Sequence, residues 1–324
     1  MADHDAILLL SFGGPEGPDD VIPFLENVTR GRGVPRERLE EVAEQYRMFG
    51  GVSPINDQNR ALLAALRAEL DRRDVALPLH WGNRNWAPYV EDTMVELAAA
   101  GHRRVLALTT SAFSSYSACR QYLEDIERAR ATVGEDAPVV DKIRPYWNHP
   151  GFVGAVTEQV RDAVASAPEG ARLVFTAHSI PMSMATTSDY EAQLRTTAAA
   201  VVDAVAAGQE WDLVFQSRSG PPQVPWLEPD IVDHLHALAD RATEAVVVVP
   251  LGFVSDHMEV KFDLDTQAAE AAASLGITMV RASTVGTHPV FVSGLVDLIE
   301  QYLGGDVAAC SPDCCPAPVR PARR

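Results

Sequence analysis

The chain predicts an α/β protein of two similar doubly wound, Rossmann-like domains whose parallel sheets face a shared cleft. Three observations lead there. Hydrophobic runs of strand length alternate with amphipathic stretches of helix length, the pattern of βαβ units. The turn closing the first run, Ser11-Phe-Gly-Gly-Pro15, has a weak counterpart in Ala177-His-Ser-Ile-Pro181, and Thr110-Ser-Ala-Phe-Ser-Ser115 has one in Pro250-Leu-Gly-Phe-Val-Ser255, in the same order. A length of 324 residues also exceeds what one hydrophobic core usually organises.

Strands are predicted at Ala6 to Phe12, Leu77 to Trp81, Val105 to Thr110 and Val139 to Ile143, then at Arg172 to Thr176, Leu213 to Gln216, Ala245 to Leu251 and Ile277 to Val280. Helical periodicity falls between them at Pro35 to Arg47, Asn59 to Arg73, Val90 to Ala100, Ser117 to Ala131, Phe152 to Ala167, Tyr190 to Ala207 and Asp230 to Arg241. Asp19 and Asp230 read as helix starts and Gly101 as a stop. The Pro-Gly break at His149-Pro150-Gly151 divides the chain into domains at 1–149 and 150–306, followed by a cysteine-containing tail at 307–324. The last helical segment, Val290 to Leu303, is expected to pack back on the first domain, and the end beyond Cys315 to be disordered.

Composition narrows the function. Hydrophobic residues make up 47% and charged residues 22%, as in an ordinary soluble globular chain. A formal net charge of -18 with only 27 Lys and Arg speaks against general nucleic-acid binding, which needs clustered cations for phosphates. Met-Ala-Asp-His-Asp leads into a short apolar run without a signal pattern, and no run has the length of a membrane span. The expectation is a cytoplasmic protein, taken as a monomer, without a transmembrane segment.

Two segments carry chemistry. His178 closes the run Leu173-Val174-Phe175-Thr176-Ala177, and Glu259 follows the run that ends in Phe253-Val254-Ser255-Asp256-His257-Met258. If both runs are parallel strands of one sheet, both side chains emerge at carboxyl ends, where open α/β sheets build ligand clefts. An imidazole facing a carboxylate binds a divalent metal and accepts protons. Asp263 and Asp265 follow at near-helical spacing, so a helix here turns Glu259 and Asp263 to one face or is simply a solvated side. Cys119 stands alone while Cys310, Cys314 and Cys315 cluster near the end. Four thiolates brought together suit an iron-sulfur cluster or a structural zinc, and the spacing does not separate the two.

Five ordered motifs resemble ferrochelatases: Ser11-Phe-Gly-Gly-Pro-Glu-Gly17, Met48-Phe-Gly-Gly-Val-Ser-Pro-Ile55, Thr176-Ala-His-Ser-Ile-Pro181, Gln216-Ser-Arg-Ser-Gly220 with Pro225-Trp-Leu-Glu-Pro-Asp230, and Gly252-Phe-Val-Ser-Asp-His-Met-Glu259. The resemblance implies insertion of ferrous iron, as substrate, into a free-base porphyrin. It places metal binding and catalysis on His178 and Glu259, His178 also taking pyrrole protons. It implies porphyrin contacts at Ser53 and Tyr122, and Phe12, Phe49, Phe113 and Trp226 are candidates for a clamp on the bent ring. The tail is similar to that of actinobacterial members, which implies a 2Fe-2S cluster held by Cys119, Cys310, Cys314 and Cys315. The same likeness favours coproporphyrin III, whose carboxylates need cations such as those of Arg30-Gly-Arg32, over protoporphyrin IX. Phe12, Thr29 and Gln45 depart from some relatives, so individual propionate contacts do not carry over. A non-catalytic porphyrin or iron-sulfur binding protein, and a cobalt or nickel chelatase, are the remaining alternatives.

Overall fold

Two four-stranded parallel sheets of the same topology organise the chain. The structure, a computed structural model, describes residues 4–220, 223–305, 310, 311 and 313–318. The first sheet has the order β2-β1-β3-β4, with β1 (Ala6–Ser11), β2 (Leu79–Asn83), β3 (Arg104–Thr109) and β4 (Val139–Lys142). The second has the order β6-β5-β7-β8, with β5 (Arg172–His178), β6 (Trp211–Gln216), β7 (Ala245–Val249) and β8 (Thr278–Arg281). β1 therefore corresponds to β5 and β3 to β7, the pairing that the repeated turn motifs predict. In each sheet the chain leaves the first strand for one neighbour and returns to the other side, which creates a switch point at the carboxyl ends of the two central strands.

The helices are α1 (Val21–Val28), α2 (Arg36–Arg47), α3 (Ile55–Arg72), α4 (Val90–Ala99), α5 (Gln121–Val133), α6 (Pro150–Ser166), α7 (Met182–Ala185), α8 (Tyr190–Ala206), α9 (Ile231–Ala239), α10 (Met258–Phe262), α11 (Ala269–Ser274) and α12 (Pro289–Gly304). Asp230 caps α9, its carboxylate accepting from the Val232 N–H at 2.8 Å. Asp19 lies in a single 3-10 turn, Pro18–Asp20, just ahead of α1. Gly101, at φ +84°, follows α4 and stops it. The disordered end expected beyond Cys315 falls outside the described residues at 319–324.

All five residues of β7, Ala-Val-Val-Val-Val, are buried, as befits a strand covered on both faces. Full burial of each valine side chain contributes roughly 1.5 kcal/mol or more. Behind the second sheet β7 meets α9 and α11 through Leu235, Leu238 and Ala272. Behind the first, β1 and β3 meet α4 and α5 through Met94, Leu97, Ile126 and Ala129. On the inward side the two sheets meet. One continuous cluster runs from Ile7 and Leu9 through Phe152, Phe175 and Val247 to Phe291 and Tyr302. The two sheets share their largest core.

Helix α12 packs against both α6 and α3. At the α6 crossing Gly151 and Gly294 touch, and a Cβ on Gly151 would come within 2.6 Å of the Gly294 Cα. At the end of α3, its cap residue Arg73 donates to Asp297 at 2.6 Å, Glu300 at 2.8 Å and the Ser293 hydroxyl at 2.7 Å. Among the described residues no helix is long and apolar enough to cross a membrane.

After β7 the chain turns sharply so that the Gly252 N–H donates to the Thr176 carbonyl at 3.0 Å. A Cβ on Gly252 would sit 2.7 Å from the Ala177 Cβ and 2.8 Å from its Cα, so this approach to β5 requires glycine. Gly252→Ala is expected to lower the unfolding free energy by about 1–3 kcal/mol, measured by urea denaturation; an unchanged midpoint would contradict the packing described.

Candidate active site

Because β5 and β7 are adjacent and parallel, the segments leaving them open on the same edge of the sheet. His178 is the last residue of β5, paired with Gln216 at the end of β6. Glu259 lies in the first turn of α10, started by His257, whose Nδ1 accepts from the Glu259 N–H at 3.2 Å. The structure brings His178 and Glu259 together, with His178 Nε2 3.3 Å from Glu259 Oε1. Their side chains remain 31% and 43% exposed, so both are open to a ligand.

Each partner is held from behind. The Gln216 side-chain amide donates to the Glu259 carbonyl at 2.8 Å, and the Tyr190 hydroxyl donates to the His178 carbonyl at 3.1 Å. His178 Nδ1 contacts the Ser179 carbonyl. A carbonyl only accepts, so Nδ1 carries a proton and Nε2 is the nitrogen turned to Glu259. The loop between β7 and α10 is tied to α3 by the Asp256 N–H, which donates to Gln58 Oε1 at 2.9 Å. On its other side Arg281 holds Asp256 at 3.1 Å.

Electrostatics follow from this packing. Burial works against a charged imidazole at His178, but the Glu259 carboxylate outweighs it, with the Ser179 carbonyl and Asp263 adding, and the pKa is pushed up to about 9. Burial likewise opposes ionisation of Glu259, and the charge and hydrogen bond of His178 bring its carboxyl down to about 2. Burial of His257 lowers its pKa and keeps it neutral. Asp263 behaves differently. Its burial, reinforced by the charge of Glu259 and opposed by a bond from the Ser217 hydroxyl, raises it to about 7. Ser217 holds a left-handed backbone, φ +63°, next to β6, a strained conformation for a residue other than glycine.

The acidic file splits. Asp263 opens a π-helical stretch, Asp263–Ala268, close enough to feel Glu259 and His178, whereas Asp265 turns away to Lys261 and Arg281. Tyr46 of α2, across the cleft, and Tyr190 of α8, on the same side as His178, have phenols raised by burial and by the charge of Glu259, and both remain O–H groups. Nothing in the periodicity of α2 or α8 singles out these two tyrosines.

The remaining predicted residues fall in different places. Phe12 is 38% exposed and stands by Phe24 at the end of β1. Phe113 is 3% exposed and packs edge-on against Phe152 and Tyr190 in the shared core, so it is no part of an open clamp. Ser53 is buried beneath Gly14, its N–H donating to the Pro15 carbonyl at 2.9 Å. Tyr122 is buried in the layer behind β1 and β3, the Arg84 guanidinium 3.9 Å from its ring centre.

Cys119 and Cys315 are buried and hydrogen-bonded to each other, and Cys314 Sγ is 3.5 Å from Cys315 Sγ. Cys310 is half-buried and feels Lys142 and the thiols of Cys314 and Cys119. Cys315 adopts φ +51°. The bond from Cys315 outweighs burial, which works the other way, and with the charge of Lys142 brings the Cys119 thiol down to about 6. Among the described residues no group of three or more His, Cys, Asp or Glu side chains is already set to hold a metal ion. Two open hollows, about 620 Å³ beside His149 and Glu300 and about 420 Å³ beside Gln58 and His288, do not include His178 or Glu259.

Residues 4–303 match the family described as Ferrochelatase. A protein of Rhodopirellula baltica named Ferrochelatase is 52% identical over 331 residues, covering 97% of this chain and 94% of its own length. One from Mycolicibacterium smegmatis named Coproporphyrin III ferrochelatase is 56% identical over 308 residues, covering 93% and 90%. Among solved structures, SirB from Bacillus subtilis with Fe3+ superposes with a TM-score of 0.60 at 14% identity, over 93% of this chain and 97% of that one. CbiX, described as the terminal enzyme for biosynthesis of siroheme in denitrifying bacteria, gives 0.54 at 14% identity, over 94% and 100%. These two share the two-domain chelatase fold.

The pKa of His178 lies above its unfolded value of about 6.5, so its share of stability is complete below that pH and is lost as the pH rises through about 9. The pKa of Glu259 lies below its unfolded value, so its share is lost as the pH falls towards about 2. Glu259→Gln is expected to lower the His178 pKa markedly in an NMR titration of the imidazole. An unmoved titration would contradict the coupling.

Proposed function

The chain belongs to the ferrochelatase family, and from that premise we propose that it inserts ferrous iron into coproporphyrin III, giving the iron coproporphyrin of haem synthesis. The observation that carries the site assignment is the 3.3 Å approach of His178 Nε2 to Glu259 Oε1 at the mouth of the second sheet. The porphyrin assignment is supported by relatives from Mycolicibacterium, Streptomyces and Nocardia that carry the name Coproporphyrin III ferrochelatase. We place the enzyme in the cytoplasm as a monomer, in keeping with its ordinary globular composition, with domains meeting at His149-Pro150.

Insertion exchanges one ferrous ion for two protons. Both pyrrole N–H bonds break with their electron pairs left on nitrogen, and four nitrogen–iron bonds form. The site suits that exchange because Glu259 balances a proton on His178 Nε2, and Glu259 together with an ionised Asp263 balances a divalent ion in its place. Once His178 has given up its Nε2 proton, the lone pair on that nitrogen is free to take either a metal ion or a pyrrole proton, one at a time. Asp263, held near pH 7, is the next group placed to receive a proton. We assign Arg30 and Arg32, both exposed on the turn after α1, to the propionates. Ser53 and Tyr122 are assigned to the wall behind the ring, Ser53 supporting the Gly14-Pro15 turn.

Four thiols from the first sheet's edge and the tail fit a sulfur-ligated group, since Cys119, Cys314 and Cys315 already touch in sequence of contact and Cys310 lies within their field. We propose that these four would hold a 2Fe-2S cluster. Such a group supplies one-electron redox chemistry and a covalent tie between distant segments.

The experiment mixes anaerobic protein with ferrous iron and either coproporphyrin III or protoporphyrin IX and follows metalloporphyrin absorbance. Turnover with coproporphyrin III is expected, and a preference for protoporphyrin IX would overturn the substrate. His178→Ala is expected to abolish insertion while leaving porphyrin binding intact; full activity would refute its role. The protein before any addition should show visible iron-sulfur absorption that Cys119→Ser removes, and a colourless zinc-containing protein would reject the cluster.

A further inference from the structure

One face of α8 carries polar contacts at positions 190, 193 and 197, the spacing of a single helix side. Tyr190 donates to the His178 carbonyl at 3.1 Å. Thr197 donates to the Trp147 carbonyl at 3.1 Å. Between them Gln193 makes two bonds to one residue of the other half: the Ser114 N–H donates to Gln193 Oε1 at 2.8 Å, and Gln193 Nε2 donates to the Ser114 hydroxyl at 2.8 Å. Gln193 is 7% exposed and Ser114 8%. A buried polar pair of this kind fixes a geometry more than it adds stability, because breaking it leaves desolvated groups unpaired.

Ser114 itself is rigidly mounted. It runs into the π-helical turn Tyr116–Arg120, capped by the Ser115 hydroxyl, which accepts from the Ala118 N–H at 3.1 Å. Arg84 holds this turn from one side by donating to the Ser117 carbonyl at 3.2 Å. From the other side Arg120 donates to the Cys314 carbonyl at 2.9 Å, and Cys119 bonds to Cys315. Phe113, next to Ser114, packs its ring against that of Tyr190. An unbroken chain of contacts thus runs from the cysteine-bearing tail through Ser114 and Gln193 to Tyr190 and the backbone of His178.

We propose that Gln193 is a positioning residue for metal insertion, locking α8, and through Tyr190 the backbone of His178, onto the cysteine-anchored turn of the first half. This inference rests on the reading that His178 acts on the porphyrin. Gln193 does not touch the ring or the ion. It sets where His178 Nε2 stands relative to a ring seated between the two halves, and a misplacement of about 1 Å at a reacting centre lowers rates by about 10²-fold.

The test uses Gln193→Leu in the full chain, with the visible spectrum of the purified protein as a control for the tail. The expected result is a fall in kcat for iron insertion of about tenfold or more, with porphyrin affinity by fluorescence quenching unchanged and the His178 imidazole resonance shifted. Gln193→Glu, whose neutral carboxyl reproduces both bonds to Ser114, is expected to restore most of kcat. Retained kcat in Gln193→Leu, or a loss of kcat matched by lost porphyrin binding with the His178 resonance unmoved, would overturn the proposal. If Gln193→Leu does not fold, Ser114→Ala, which removes only the hydroxyl bond, must show the same split between kcat and affinity on a smaller scale, and its absence overturns the proposal. Full turnover by His178→Ala would instead defeat the underlying reading, whatever Gln193 does.

Discussion

An imidazole and a carboxylate held 3.3 Å apart at the edge of a parallel sheet is the constraint from which the rest of the site follows. Either group alone is ordinary. Together they form a place that is neutral when it holds one proton and, once Asp263 beside it ionises, neutral again with a divalent ion, the alternation that the proposed metal insertion uses. The fold meets the requirement by adjacency. Parallel β5 and β7 deliver both segments to one edge, and Gly252 allows the second to approach Ala177 closely enough for Glu259 to face His178.

The same topology used twice explains the opposite wall. β1 and β3 end across the cleft from β5 and β7, and α2 from the first half brings Tyr46 within the field of Glu259. The inner faces of both sheets join in one apolar cluster, and α12 binds to α3 and α6 at once. The two walls are thereby set against each other by side-chain packing as well as by the polar contacts of α8. Close-packed interiors transmit such settings with little slack.

Much of this was legible in the residues. All eight strands fall within about two residues of their predicted positions, because buried parallel strands read as apolar runs, and the pairing of β1 with β5 was visible in the turns. The start of α3 was not. Its first turns contain Asn56, Asp57, Gln58 and Asn59, which lack apolar periodicity, yet Asn56 and Asn59 are buried by bonds to the Gly14 carbonyl and the Ser11 hydroxyl. The segment Met258–Ser274 was also obscure, since a π-helical stretch interrupts the helical repeat there. His178 and Glu259 could be named from their positions after strands. Tyr190 and Gln193 could not, because their role depends on which helix face meets the other half, a tertiary fact with no local signature.

The most direct measurement is a crystal structure of the protein soaked with Zn2+ in the absence of porphyrin. A metal ion bound by His178 Nε2 and a Glu259 oxygen at about 2.0–2.2 Å, in the place where the two side chains now face each other, is expected. A metal bound elsewhere in the cleft, with His178 and Glu259 still paired to each other, would contradict that expectation.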